Sequence, residues 1–517
     1  MNALKKEMSV LLKKLRDYDE SVTSLFDHAF APQQNPWRNL GSLAFCCLIL
    51  TIASGIICFA FYDTSVTGAY ESGLRLQNTP FYLGRLLRGL HRFGADSCIL
   101  LSVLHLIREG LRGHYAGIRW FSWLSGLPLL GLIWVAGLTG LWMLWDARSL
   151  YSITATAEWL QSLPIGADLL ARNFLTPDSL NDRFFSLVMF VHIGVPLLGL
   201  ATLWIHIQRV AHSRIWPERK LMWTSLFMLI FLSITQPVIS LDRADLLQIP
   251  VSISLDWFFL FFHPLLDFFT ATTSWWIVLG ASSFLFALPL LTRHQDAHKG
   301  VAVVDLNNCN GCARCVADCP FSAITMVNRT DGSHHRAQAL VNADLCASCG
   351  ICVGACPSST PFRTIEEMVS GIELPNLSIT SLRQQLKNKI STLTGPDKIV
   401  VFTCRQAGRF KNIENNNTAV IELECAAMLP PSFLEYTLRM GVAGSVIAGC
   451  RQGDCEFRLG DQWMDERIQG LREPYLRLSV DRKRIAMSWS GHDQNKIIET
   501  ANHLRHRVLT LKESQAL

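Results

Sequence analysis

His91 and His105 stand fourteen residues apart in one long apolar segment, and His192 and His206 repeat that interval in another. Fourteen residues of α-helix make nearly four full turns, which places each pair on one helix face about 21 Å apart along the axis. Ionisable groups at membrane depth are costly and are usually functional. A satisfied core histidine would account for one such residue. Two equal pairs in two membrane-length segments point instead to bis-imidazole ligation of two haems, one near each membrane face. Gly41 and Gly55 echo the interval in the first apolar segment, and Gly126 and Gly140 echo it in the third. Glycine is a poor helix former, but it lets a flat macrocycle lie against the backbone; small residues also serve plain helix packing in membranes.

Half of the 517 residues are hydrophobic and 17% are charged, but the two ends of the chain differ sharply. Six membrane helices are predicted near 39–60, 89–107, 123–145, 184–208, 221–241 and 272–292, each close to the roughly 20 apolar residues a bilayer requires. The final 220 residues hold no such run. Residues 1–38 carry lysines at 5, 6, 13 and 14 beside spaced leucines, the pattern of an interfacial amphipathic helix. With no small-residue cleavage site before a short apolar core, no signal peptide is expected. The N-terminal segment and the loops after helices two and four carry 6, 3 and 4 Lys/Arg, against 3, 3 and 1 in the opposite loops, which hold eleven Asp/Glu. The positive-inside rule then puts both termini in the cytoplasm of a bacterial or archaeal inner membrane. Helices two and four both run inward, so His91 and His192 share the outer haem and His105 and His206 the inner one. The net charge of +5 follows largely from this topology, and no nucleic-acid partner is expected.

Asn35-Pro36-Trp37-Arg38-Asn39-Leu40-Gly41-Ser42-Leu43, Arg88-Gly89-Leu90-His91, His105-Leu106-Ile107-Arg108 and Arg183-Phe184-Phe185 before His192 carry a further signal. In these motifs the N-terminal part resembles the cytochrome b/b6 family, the quinone-reactive subunit of bc1 and b6f complexes. The resemblance implies a cytochrome b-like, all-α membrane domain over 39–292 with two haem b. Arg88 and Arg108 match the family's haem-propionate arginines, although interfacial snorkelling is compatible with the same positions. The family's dimeric habit implies a homodimer.

Twelve of the sixteen cysteines follow residue 300, in the part assigned to the reducing cytoplasm, where metal ligation outranks disulfides. Cys309-x2-Cys312-x2-Cys315-x3-Cys319-Pro320 and Cys346-x2-Cys349-x2-Cys352-x3-Cys356-Pro357 are two copies of the bacterial ferredoxin run, in which the fourth cysteine ligates the other cluster. Cys309, Cys312, Cys315 and Cys356 are therefore assigned to one [4Fe–4S] cluster, and Cys346, Cys349, Cys352 and Cys319 to its partner. Zinc has no use for this doubled spacing with trailing prolines. A ferredoxin-like α+β domain is expected over 300–362, and the polar stretch 363–396 reads as a linker or docking segment.

Cys404, Cys425, Cys450 and Cys455 form a last group. Apolar runs at 399–402, 419–421 and 445–448 read as strands and 431–440 as a helix, so the first three cysteines end or closely follow strands of a small α/β domain over 397–490. With its Gly449-Cys450-Arg451-Gln452-Gly453-Asp454-Cys455 loop, this region resembles the iron–sulfur delta subunit of methyl-viologen-reducing hydrogenases, a relay partner of heterodisulfide reductase. That resemblance implies a [2Fe–2S] cluster on these four cysteines. Family members commonly have more cysteines near the first position, and His near the loop, where this chain has Arg451 and Glu456. Residues 491–517 read as a tail with a surface helix.

In the cytochrome b family the outer quinol site uses a Pro-Glu-Trp-Tyr signature; here the stretch is Leu255-Asp256-Trp257-Phe258. Trp257 is kept and the acid is one carbon shorter. Asp256 is thus either a proton acceptor or an interfacial charge in contact with water, and Asp146, at a position where the family has glycine, implies a remodelled pocket. No Gly-x-Gly-x-x-Gly follows a predicted strand, so a two-electron carrier must reside on a partner, an FAD-dependent NAD(P)H-oxidising or heterodisulfide-reductase-like subunit. The expectation is an oxidoreductase subunit of the donor:quinone type. It would pass electrons from a low-potential cytoplasmic donor through the clusters and two haems to membrane quinone. The alternatives are quinol-driven reverse transfer to a ferredoxin or NAD(P), a membrane anchor and wire without a quinone site, or a redox-responsive interaction protein. His114 and His212 remain uncommitted.

Overall fold

The structure is a computed structural model that describes residues 2–78, 82–163, 181–208, 212–247, 252–254, 256–292, 300–329, 331–363, 368–395, 397–408 and 413–516. It divides into two compact units, one of residues 1–208 with 213–295 and the other of 209–212 with 296–517.

The first unit is helical. After an amphipathic helix α1 (Asn2–Ala29), the side chain of Asn35 accepts the Trp37 N–H and caps a short turn into α2 (Leu40–Phe59). There follow α3 (Gly68–Gln77), α4 (Leu83–Leu111), α5 (Trp120–Trp142), α6 (Ala147–Gln161), α7 (Asp182–Gln208), α8 (Arg219–Thr235) and α9 (Ala271–Thr292). Asp146 starts α6 by accepting the Ser149 N–H at 2.9 Å, and its other oxygen accepts from the Leu241 N–H at 3.2 Å. The acid in place of glycine is thus a helix cap that also pins a loop.

Five helices among the described residues are long and apolar enough to cross a membrane: Leu40–Phe59, Leu83–Leu111, Gly117–Trp142 with its leading turn, Asp182–Gln208 and Ala271–Leu291. The expected sixth span does not reach 241. Pro237 disfavours helical backbone at Gln236, which is non-helical, and α8 stops at Thr235 with 17 residues, the lower limit for a bilayer. α2 packs along α4 and α5 along α7, each pair antiparallel, with α8 also against α4. Phe190, Leu197, Phe227 and Phe284 are more than half exposed, as lipid-facing side chains are.

The second unit joins two folds. In the first, β1 (Val303–Val304) pairs antiparallel with β4 (Ile372–Glu373), and β2 (Ile324–Asn328) with β3 (Ala337–Val341); one-turn helices α10 (Arg314–Ala317) and α11 (Ile351–Ala355) each follow a Cys-x2-Cys. The second fold is a parallel sheet in the order β6-β5-β7-β8, made of β5 (Ile399–Cys404), β6 (Thr418–Leu423), β7 (Gly444–Ala448) and β8 (Ile485–Ser488).

Two expectations change here. The segment 363–396 is no simple linker, because its β4 completes the ferredoxin fold and its helix α12 (Ile379–Ser391) buries Ile379, Leu382, Leu386 and Ile390 against β6. Nor is 491–517 a tail. Helix α15 (Gln494–Ala516), which follows α13 (Ser432–Arg439) and α14 (Gly460–Gln469), buries Ile497, Ala501, Leu504 and Val508 against β7 and β8. Both helices hide a narrow apolar stripe that a polar composition masks.

Candidate electron-transfer sites

In the helical unit each histidine meets a glycine of the antiparallel neighbour. A Cβ on Gly55 would lie 2.8 Å from the His91 ring and one on Gly140 2.8 Å from that of His192; for Gly41 against His105 the distance is 3.3 Å and for Gly126 against His206 it is 3.2 Å. The glycines therefore clear space for the imidazoles themselves. His91 and His192 stand edge to face with ring centroids 6.1 Å apart. His91 Nδ1 is 2.9 Å from the carbonyl oxygen of Thr51, and His192 Nδ1 is 2.9 Å from that of Ala136, each four residues before the clearing glycine. An Nδ1–H donated to a carbonyl fixes the tautomer whose Nε2 offers a lone pair, the second-shell arrangement of metal-bound imidazoles. His206 Nδ1 meets Ser125 Oγ at 2.9 Å, and His105 Nδ1 is 3.8 Å from the Glu109 carboxylate. These donor sets fit two bis-histidine haems.

The arginines beside the histidines have protein partners. Arg88 donates to the Gly73 carbonyl, the Gln77 side chain and Ser240 Oγ. Arg108 lies 3.6 Å from Asp19 of α1, which also accepts the Trp37 indole N–H at 2.8 Å. His114 is buried and paired with Glu109, with Arg119 Nη1 2.9 Å away, so its ring belongs to an ion-pair cluster.

Asp256 is buried while Trp257 is 76% exposed; Leu255 lies outside the described residues. One Asp256 oxygen accepts the N–H groups of Phe258 and Phe259 at 3.0 and 2.8 Å, and the other is ion-paired with Arg92, which also meets Asp96 at 3.1 Å. Nearby, His263 is buried and bonded through Nε2 to Thr156 Oγ1 at 3.0 Å.

In the second unit the thiols gather as the doubled run requires. Cys315 feels the charges of Cys356, Cys312 and Cys309, and Cys352 those of Cys349, Cys346 and Cys319. Burial pushes the Cys315 thiol up to about 12 and raises Cys349 and Cys352 as well. Such thiols ionise on binding metal, which ties cluster assembly to proton release. Ala323 N–H donates to Cys319 Sγ at 3.2 Å.

Parallel strands bring the last four cysteines together, since β5, β6 and β7 end at one sheet edge, where α/β folds bind ligands. Cys404 is in hydrogen-bond contact with Cys425 and Cys450, and Cys455 with the same two, closing a ring of four buried thiols. Bonds from Cys425 and Cys450 hold Cys404 well below the usual thiol range. A Cβ on Gly460, at the start of α14, would lie 2.3 Å from Cys425 Sγ, so the helix N-terminus abuts the ring. Burial, with Cys455 close by, lifts the Asp461 carboxyl to about 7, and it accepts the Gly453 N–H of the cysteine loop at 2.6 Å. The three sites form a series: Cys352 feels Cys315 on one side, and Cys349 feels Cys455 on the other. The four thiols Cys319, Cys346, Cys349 and Cys352 thus lie between the other two sets.

Sequence reasoning missed Arg92, Asp96 and Arg467. Arg92 and Asp96 pair four residues apart on one helix, but only the tertiary fold shows that Arg92 also faces Asp256 and that Arg467 faces Asp318.

Residues 25–214 match the family described as cytochrome b/b6/petB, residues 308–360 the 4Fe-4S dicluster domain, and residues 399–512 the delta subunit of methyl-viologen-reducing hydrogenase. Among individual relatives, cytochrome b6 of Prochlorococcus marinus (strain MIT 9515) is 27% identical over 182 residues, 34% of this chain and 82% of the relative. Cytochrome b6 of strain AS9601 is 26% identical over the same length. Among solved structures, a chain of a hyperthermophilic respiratory Complex III aligns with a TM-score of 0.41 and 18% identity, covering 49% of this chain and 74% of that one. The chain thus joins one segment similar to cytochrome b/b6, one similar to dicluster ferredoxins and one similar to the hydrogenase delta subunit, a combination that supports membrane electron transfer through haem b and [4Fe–4S] groups.

Proposed function

We propose that this chain links a low-potential cytoplasmic donor to membrane quinone. Electrons enter at the four-cysteine [2Fe–2S] site, cross the two [4Fe–4S] clusters and continue through an inner haem on His105 and His206 to an outer haem on His91 and His192. The observation that carries this reading is the series of three thiol sets, whose middle member feels the charge of both others, in a chain that also holds two matched histidine pairs. Arg88 and Arg108 would turn from their present partners to the haem propionates. A soluble flavoprotein, oxidising NAD(P)H or resembling heterodisulfide reductase, supplies the electrons, and the iron–sulfur unit faces the cytoplasm.

Quinone reacts on the outer side, where Asp256 accepts a proton and the exposed Trp257 borders the substrate. Arg92 already contacts two carboxylates, so a shift of its guanidinium toward Asp96 frees Asp256. The test is anaerobic reduction of the purified chain by a low-potential donor, followed by addition of a soluble quinone. Clusters must reduce before the haems, and quinone must reoxidise all of them. Haems that reduce only through quinol would reverse the direction.

A further inference from the structure

Arg467 lies on the buried face of α14 beside Trp463, Met464 and Ile468, and it has no exposed surface. Its Nη1 donates to the Ala427 carbonyl at 2.7 Å and its Nη2 to the Asp318 carboxylate, and a Cβ on Gly354 would stand 2.8 Å from Nη1. Ala427 is two residues beyond Cys425, Asp318 directly precedes Cys319, and Gly354 is midway between Cys352 and Cys356. One guanidinium therefore touches ligand loops of all three thiol sets. Asp318 also accepts from Arg472 at 2.6 Å, and Arg472 reaches Glu466 at 2.7 Å, so the four charges cancel.

A buried ion pair is a poor way to glue two surfaces, because apolar residues of the same volume do so without the desolvation cost. Its retention at the junction calls for a role that needs charge. Each electron that enters a cluster adds a negative charge, and a nearby cation in a low-dielectric setting favours the reduced form.

We propose that Arg467 is the positioning residue of the iron–sulfur relay. It fixes the gap between the second ferredoxin cluster and the four-cysteine site, and its charge raises the reduction potential of both. This inference rests on the three-cluster reading above. The step it serves is transfer of one electron from one cluster to the next, with no bond made or broken.

The test uses the full chain in detergent, with anaerobic potentiometric titration followed by electron paramagnetic resonance. Arg467→Gln is expected to keep its iron, to weaken the spin coupling between the two clusters, and to shift their reduction equilibrium about tenfold toward the oxidised form, 59 mV for a one-electron couple. Arg467→Lys must recover most of that potential. Should Arg467→Gln lose iron, Asp318→Asn decides, since it removes the opposing charge and must move the potentials upward. Wild-type potentials in Arg467→Gln with full iron, or in Asp318→Asn, overturn the proposal. A wild-type chain with eight non-haem irons instead of ten overturns the three-cluster reading. The proposal would then stand or fall on the second ferredoxin cluster alone.

Discussion

Arg92, the residue after His91, holds Asp256 by an ion pair that spans 164 positions of sequence. The same guanidinium meets Asp96 one turn along its own helix. A change at the histidine-bearing helix is thereby felt at the loop that carries the candidate proton acceptor, and the reverse also holds.

If Asp256 takes the quinol proton, Asp256→Asn keeps its size and its cap on Phe258 and Phe259 but removes the base. Quinone-linked turnover should fall about 10²-fold or more, the usual scale for a general base. The haems should still reduce from the clusters. Wild-type turnover with quinone still bound would move the quinone site to the cytoplasmic side.

The clearance at the glycines grades their sensitivity. Gly55→Ala and Gly140→Ala place a methyl group 2.8 Å from a histidine ring, where something must move, whereas Gly41→Ala and Gly126→Ala leave 3.2 to 3.3 Å. The outer haem should bind about tenfold more weakly or worse in the first two, on the scale of second-shell changes at metal sites, and the inner haem should lose less in the second two, where the ring needs to give by only a few tenths of an ångström. Haem content by absorbance of the purified variants measures this. Equal losses at all four positions would contradict the geometry.

His105→Ala should remove the inner haem and keep much of the outer one, leaving a single low-spin bis-histidine spectrum. A preparation with full iron–sulfur content but no haem at all in the unmutated chain would defeat the assignment of all four histidines.

Non-haem iron should come to about ten atoms per chain, from two four-iron clusters and one two-iron cluster. Cys450→Ser opens the ring of four thiols at one corner and should abolish only the two-iron resonance. Loss of a four-iron signal in that variant would mean that the ferredoxin fold depends on the neighbouring site.

What was legible in the sequence was whatever repeats at a fixed interval. The fourteen-residue spacing of His91 and His105 and the Cys-x2-Cys-x2-Cys-x3-Cys runs impose geometry by themselves, and the strands before Cys404, Cys425 and Cys450 announced themselves by β-branched runs. The glycines echo the same interval, but that they face imidazole rings emerged only from the packed helices. The shortened α8 hinged on Pro237 acting one residue upstream. Helix α12, and the burial of the expected helix α15, were hidden because a few apolar residues such as Leu382 and Leu504 are packed amid polar neighbours. Arg467 carries no local signal of its burial, because the groups it meets, Asp318 and Ala427, lie far away in sequence.

The paired glycine–histidine contacts also act as a vernier between helices. α2 meets α4 at two notches about 21 Å apart, and α5 meets α7 in the same way. A slide of either helix that relieved a clash at one notch would misalign the other by the same amount. Damage at one histidine pair therefore cannot be repaired by translation without being exported to the other, and the two pairs share one tolerance.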